Sequence, residues 1–472
     1  MTFKLRSKVI AEFVGTFVLM LAVGLNLSGK TAMSVTSIGF ALMVCIYGLA
    51  DVSGANFNPA VSLCLTISGK LPPLDMALYW LAQCGGALVA SGLSGVLCHE
   101  EPAALEASLR SPLCSSLAEV LFTCMLSFVV MNVACAKKNQ PNQIYGLAIG
   151  LVIVGGGNAG RAVQAGVLNP AVAFGLANSS RQGVPVATLC FFLVAELLGG
   201  ALAAGLYRYF RPEEFSAPAL GAEEEGEAKP DLLRSCLAEF VGTFYLVLTV
   251  GLNALSTNTL AAWSIAASLT CMVYCFATVS GAHLNPAVSL AILFREGASP
   301  KDTAAYIFAQ MLGGMAGALT AVRLAYWHHL SLGLGTGYFM VEGCLAEFLF
   351  TLLLTFVVLN VATVEGKSLN EVAGLAVGAC VTAGGFAVGR ISGASLNPAV
   401  SLGLAVVGKV TSGPDNLAMV LVLYVLAECF AAVVAAGVFF AIRAEDPEVS
   451  PEDQKEADAA LLDTEAPKEE AA

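Results

Sequence analysis

Charge is scarce in this chain: 12% of its 472 residues are Asp, Glu, Lys or Arg, against roughly 25% in ordinary soluble domains. With 57% hydrophobic residues beside that shortage, a water-soluble fold is excluded, because a globule of this size cannot hide so much apolar surface. Histidine is scarcer still, with four in the chain, and His99, His328 and His329 fall in loops without metal-ligand partners. No nucleophile constellation, phosphate-binding loop or metal-ligand spacing is recognisable. The sequence therefore predicts no enzyme, no cofactor, no metal site and no nucleic-acid partner. A cleavable secretory leader is not apparent either, since the first apolar segment is long, contains Glu12 and lacks a convincing cleavage site. It reads as a first membrane span. Fourteen cysteines resemble a disulfide framework until they are placed: most lie inside apolar runs, where a thiol behaves as a small hydrophobe.

What is abundant is long apolar sequence. Windows of about 20 residues with few charges, each long enough to cross a bilayer as a helix, recur from Val9 to Gly29, Ala32 to Ala50, Met76 to Leu97, Leu117 to Ala136, Ile144 to Gly156 and Val186 to Tyr207. The second half repeats the series, so the chain is expected to be an all-α membrane protein of twelve spans. Placing the N-terminus in the cytoplasm puts Lys4, Arg6, Lys8, Lys70, Lys137, Lys138, Arg208 and Arg211 inside, against Lys30, Arg110, Arg161 and Arg181 outside. That bias supports two cytoplasmic termini; it does not say which membrane. The negative charge is localised. Segments 213–231 and 444–472 carry net charges of −6 and −9 within a total of −12, and both are expected to be solvated and disordered.

The triplet Asn-Pro-Ala occurs at Asn58-Pro59-Ala60, Asn169-Pro170-Ala171, Asn285-Pro286-Ala287 and Asn397-Pro398-Ala399. Separations of 227 and 228 residues between the first and third, and second and fourth, make the second half a copy of the first. Four domains follow: a six-span unit over 1–212, an acidic linker over 213–231, a second six-span unit over 232–443 and an acidic tail over 444–472. Each unit is itself doubled. Ala11-Glu12-Phe13-Val14-Gly15-Thr16-Phe17 reappears as Ala238 to Phe244, with weaker versions around Glu119 and Glu347, and each Glu precedes its Asn by 46 or 50 residues. Three spans is an odd number, so the second copy must lie upside down relative to the first, as an inverted repeat.

Each triplet is followed by an apolar run too short to span: Ala60 to Ile67, Ala171 to Ala177, Ala287 to Leu293 and Ala399 to Val407. Proline suits the first turn of a helix, so each triplet should start a half-helix that dips to mid-membrane. Irregular backbone at that depth survives where it lines a water-filled cavity. Two half-helices meeting head to head place two positive dipole ends at the centre, a barrier to hydronium and other cations. Each Asn would be held by its own loop and present its amide donors to the lumen, orienting a passing water so that proton relay is broken.

With these residues the chain resembles a tandem fusion of two members of the aquaporin, or major intrinsic protein, family. The resemblance covers nearly everything but the linker and tail. It rests on the four triplets, on Glu12, Glu119, Glu239 and Glu347, and on Ser53-Gly54-Ala55, Ser280-Gly281-Ala282-His283-Leu284 and Ser392-Gly393-Ala394. It implies two right-handed bundles, each of six transmembrane helices plus two re-entrant half-helices, with the four glutamates as acceptors that fix the re-entrant loops and Gln83 and Gln310 assisting. It also implies a passive channel for water and small neutral solutes. The family's spacing places the constriction at Ile38, Gly157, Gly166 and Val172 in one unit and Ile265, Gly385, Ala394 and Val400 in the other. Water-selective members carry arginine where Val172 and Val400 stand. A wider, less polar filter is the expectation, passing urea, ammonia, glycerol or hydrogen peroxide as well as water. Arg161 or Arg390 could swing toward a pore mouth and partly replace the lost cation. Glycerol facilitators resemble one another in an aspartate just after the second triplet, where this chain has Ala173 and Ser401, so a dedicated glycerol facilitator is the alternative. A coupled secondary transporter is the alternative from a different class; it would be expected to carry charges near the midplane, and none beyond the four glutamates is expected there. Members of the family form four-pore tetramers, so a homodimer in the lipid bilayer is the implied assembly. A flexible linker of 19 residues has an r.m.s. reach of roughly 25 Å, enough for adjacent units.

Overall fold

The computed structural model describes residues 3–98, 105, 112–179, 183–215, 231–256, 258–296, 298–326, 328–330, 332–364, 370–411 and 416–443. Most of the expected linker (216–230) and the whole expected tail (444–472) lie outside them. No strand occurs among the described residues, and twelve helices are long and apolar enough to cross a membrane. In the first unit the spans are Leu5–Gly29, Ser34–Ser53, Pro73–Leu97, Pro112–Cys135, Tyr145–Val163 and Val186–Phe210. In the second they are Leu232–Ala254, Ala261–Ser280, Pro300–Leu324, Met340–Ala362, Asn370–Ser392 and Leu417–Arg443. Four short helices, Pro59–Ile67, Pro170–Ser179, Pro286–Glu296 and Pro398–Val410, follow the four Asn residues.

Local sequence sets these boundaries. Proline occupies the first helical position of all four short helices, where its missing N–H is no loss. Gly54 and Gly281 end the second spans in the left-handed region, at φ 85° and 88°, and turn the chain into the re-entrant loops. One span is longer than hydropathy indicated. The apolar window stops at Gly156, but the helix continues through a π-helical turn, Ile153–Gly157, and polar Asn158 to a 3-10 turn ending at Val163. Asn158 donates to the Val154 carbonyl at 2.9 Å, while its Oδ1 is buried without a hydrogen-bond partner.

Close helix crossings bring the short helices against the spans. A Cβ on Gly200 would collide with the Ala60 carbonyl oxygen, and one on Gly314 with that of Ala399. Glycine is what lets backbones meet where lipid supplies no hydrophobic drive. The outer surface is a belt of exposed apolar side chains, including Leu81, Val96, Phe308 and Phe430, as a hydrocarbon solvent requires.

The two units share a seam between the fourth and fifth spans of the first and the first and second spans of the second. Tyr245 donates to the Leu121 carbonyl at 3.0 Å, and Ser264 to that of Gly155 at 3.0 Å. Arg211, read from sequence as a cytoplasmic charge, is buried there: its guanidinium donates to Asn132 Oδ1 at 3.1 Å, the Cys275 carbonyl at 3.2 Å and Thr278 Oγ1 at 2.7 Å. Just beyond it, Glu214 accepts from the Lys137 amide at 2.6 Å and pairs with Lys70 at 2.9 Å.

Candidate functional site

Each unit is built around two loops that meet head to head. Asn58 accepts from the Ala60 amide at 2.8 Å, capping its own short helix, and its Nδ2 donates to the Leu168 carbonyl of the opposite loop at 2.7 Å. Asn169 mirrors this with Ala171 at 3.0 Å and the Phe57 carbonyl at 2.9 Å. In the second unit Asn285 bonds Ala287 and the Leu396 carbonyl at 2.8 and 2.9 Å, and Asn397 bonds Ala399 and the Leu284 carbonyl, both at 2.9 Å. This differs from the sequence expectation that each amide offers both hydrogens to the lumen. One hydrogen of each NH₂ is spent clasping the other loop, which leaves one.

The residue before each Asn does double duty. Phe57, Leu168, Leu284 and Leu396 all sit in the left-handed region, at φ 49°, 58°, 51° and 51°, a conformation costing a non-glycine residue roughly 1–2 kcal/mol. Their carbonyls receive the opposing Asn, and their amides donate to Glu12, Glu119, Glu239 and Glu347 at 2.7, 2.8, 2.6 and 2.7 Å. The same carboxylates take further loop amides: Asn56 on Glu12, Gly166 and Val167 on Glu119, His283 on Glu239, and Ser395 on Glu347. Gln83 and Gln310 orient two of them, donating to Glu12 and Glu239 at 2.8 Å each.

Sequence reasoning missed two further carboxylates. Glu196 and Glu428, fully buried in the sixth spans, accept from the Asn169 and Asn397 amides at 3.0 Å each. Glu428 also accepts from Ser395 and Ser401. The signal was available, since an acid inside an apolar span calls for a partner.

Each pair of loops borders a cavity, of about 410 Å³ in the first unit and about 310 Å³ in the second. Ile38, Gly157, Gly166 and Val172 line the first together with Asn58 and Asn169. Ile265, Gly385, Ala394 and Val400 line the second with Asn285 and Asn397. The walls are mostly aliphatic, and the polar groups gather at the Asn pair and the mouths. Arg161 lines the first cavity, whereas Arg390 is not on the wall of the second. His283 lines the second cavity and bonds Ser289 through Nδ1 at 3.0 Å; in the first unit Asn56 makes the same bond, to Ser62, at 3.0 Å.

Membrane-length helices enclosing two cavities, each crossed at its middle by opposed helix N-termini and an Asn pair, define a channel-type membrane protein. The chain belongs to the major intrinsic protein family, whose pattern it matches over residues 1–207, 147–250, 226–413 and 344–461. It is 34% identical over 216 residues to aquaporin NIP1-1 of Zea mays, covering 43% of this chain and 74% of that protein. It is 31% identical over 233 residues to aquaporin Z of Rhodopseudomonas palustris, covering 44% of this chain and 94% of that one. The probable aquaporin TIP3-2 of Arabidopsis thaliana is 34% identical over 227 residues, with 42% and 82% covered. Among solved structures, the aquaglyceroporin of Plasmodium falciparum matches at 24% identity and a TM-score of 0.40, covering 48% of this chain and 99% of that one. A near-complete relative thus corresponds to under half of this chain, and the protein is an integral multi-pass membrane channel made of two aquaporin-like units.

Proposed function

We propose that each unit is a separate passive pore for water and small neutral solutes such as urea, ammonia, glycerol and hydrogen peroxide, and that protons and ions are excluded. The observation that carries this reading is the reciprocal clasp of Asn58 and Asn169, repeated by Asn285 and Asn397, at the narrow centre of an aliphatic cavity. One free amide hydrogen from each Asn can hold a water oxygen while the two helix N-termini oppose a cation. The solute range rests on the eight filter positions. None of Ile38, Gly157, Gly166, Val172, Ile265, Gly385, Ala394 and Val400 brings a charge or a hydrogen-bonding side chain. No fixed charge other than Arg161 and Asp51, both at mouths, lines either cavity among the described residues, which favours a passive conduit over an ion-coupled transporter.

The termini are taken as cytoplasmic from the distribution of Lys and Arg. A homodimer with four pores is the proposed assembly. The seam covers the fourth and fifth spans of the first unit, 67% and 78% buried, while their counterparts in the second unit are 39% and 33% buried. The second span of the first unit is 39% buried against 72% for its counterpart. A second copy supplies the missing neighbours on both sides. Stopped-flow swelling of vesicles holding the purified chain, in gradients of sucrose, urea and glycerol, tests the function: permeability no greater than that of protein-free lipid overturns it. A detergent-corrected mass of one chain removes the dimer.

A further inference from the structure

The two cavities differ at their mouths, and the differences fall at equivalent positions of the repeat. In the first, Arg161 lines the end beside the second loop and Asp51 lines the opposite end. In the second, the equivalent of Arg161 is Gly389, also on the cavity wall, and the equivalent of Asp51 is Thr278, whose hydroxyl is engaged by Arg211 in the seam. The backbone around Arg161 also differs between the units. Its fifth span widens into the π-helical turn Ile153–Gly157 and tightens into the 3-10 turn Arg161–Val163, whereas Asn370–Ser392 is one continuous α-helix. Such turns re-aim the side chains around them and recur at functional sites. The Arg161 side chain is exposed within the cavity and makes no hydrogen bond or ion pair with another described residue.

The first cavity is also the larger, about 410 Å³ against about 310 Å³. A larger cavity lets a cation keep more of its hydration, so desolvation guards it less well, and Asp51 on its wall draws cations toward it. A guanidinium at the other end restores the barrier. We propose that the two pores of one chain are not equivalent, and that Arg161 is a specificity-determining residue of the first pore alone, setting its rejection of small organic cations. The second pore, with the smaller cavity and no charged residue on its wall among the described residues, relies on desolvation. This rests on the reading of both cavities as solute pores.

The test uses the full chain in liposomes, with methylammonium uptake at neutral pH and osmotic water permeability measured on the same vesicles. Arg161→Met keeps bulk and removes charge; the methylammonium-to-water permeability ratio is expected to rise about tenfold. Arg161→Lys is expected to keep the wild-type ratio. Adding Gly389→Arg to Arg161→Met should leave the ratio raised, because the charge then guards the wrong pore. A wild-type ratio for Arg161→Met, an equal rise for Arg161→Lys, or a ratio restored by Gly389→Arg each overturns the proposal. Failure of the underlying channel reading is distinct: wild-type vesicles would then swell no faster than protein-free lipid.

Discussion

Replacing Glu239 by Gln tests the central support of one pore while leaving the other in place. The carboxylate accepts from Ser280 Oγ at 2.6 Å and the His283 amide at 3.0 Å on one oxygen, and from the Leu284 amide at 2.6 Å and Gln310 at 2.8 Å on the other. Glutamine keeps one acceptor oxygen and turns the other into a donor facing two donors. At least two bonds are lost, at about 1.5–3 kcal/mol for each hydrogen bond to a charged group, or about 3–6 kcal/mol together. That loss adds to the left-handed strain the carboxylate holds in check at Ala282 and Leu284, φ 49° and 51°, roughly 1–2 kcal/mol for each residue. The loop is expected to relax, withdrawing the Leu284 carbonyl from Asn397 and closing the second pore. Water permeability per reconstituted chain should fall to the share carried by the first pore, since two parallel pores conduct separately. Glu12→Gln, which disturbs the equivalent bonds in the first unit, should leave the share of the second, and the double change should leave only the lipid background. Unchanged flux in the single variants would refute the role given to the carboxylates. Near-total loss in one of them, with the chain still folded by thermal melting, would refute the independence of the pores.

Val172→Arg together with Val400→Arg introduces a longer side chain and a charge on the aliphatic wall of each cavity. Urea and glycerol permeation relative to water should fall on the order of tenfold, the discrimination a single added group typically gives in a tight site; equal losses for all three would contradict the filter assignment. Gly200→Val forces a side chain into the Ala60 carbonyl, and overpacking of this kind typically costs about 1–3 kcal/mol. The melting temperature in detergent should drop, whereas Gly205→Ala, with nothing within 4 Å of the added carbon, should leave it unchanged.

Much of the fold was legible in the sequence because its elements are local or repeated. A proline after an asparagine announces a helix start on its own, and the 227-residue offset tied every motif to a second copy. The loop-fixing role of Glu12, Glu119, Glu239 and Glu347 came with the resemblance, and each carboxylate accepts loop amides in the structure. What sequence could not supply were partners fixed by three-dimensional crossing. The Asn58 amide reaches a carbonyl 110 residues away, and nothing in composition distinguishes that clasp from a free amide facing the lumen. Arg211 was counted with the cytoplasmic cations because it follows an apolar run; its burial depends on Cys275 and Thr278 from the other unit. Arg161 lies on a cavity wall and Arg390 does not because Arg390 stands one residue closer to its Asn, and the wall position in the second unit falls on Gly389.

The sixth-span acids show how hydrogen-bond geometry separates two glutamates that look alike in sequence. Glu119 uses both oxygens, accepting from Gly166 and Val167 on one and from Leu168 on the other, so no amide can replace it without setting donor against donor. Glu196 uses one: Oε1 holds the Asn169 amide at 3.0 Å, and Oε2 is buried without a hydrogen-bond partner. Glu428 repeats the pattern, with Asn397, Ser395 and Ser401 all on Oε1 and Oε2 unpartnered. A glutamine at either sixth-span position can therefore keep its carbonyl toward the Asn amide without setting its NH₂ against a donor. Glu196→Gln should retain wild-type water permeability, and Glu119→Gln should lose that pore. Glu196→Leu strips the acceptor and leaves the Asn169 amide buried and unpaired, at about 1–3 kcal/mol, and should lower flux through the first pore. If Glu196→Gln proves as damaging as Glu196→Leu, the second glutamate acts through its charge, and the account of it as a one-oxygen acceptor fails.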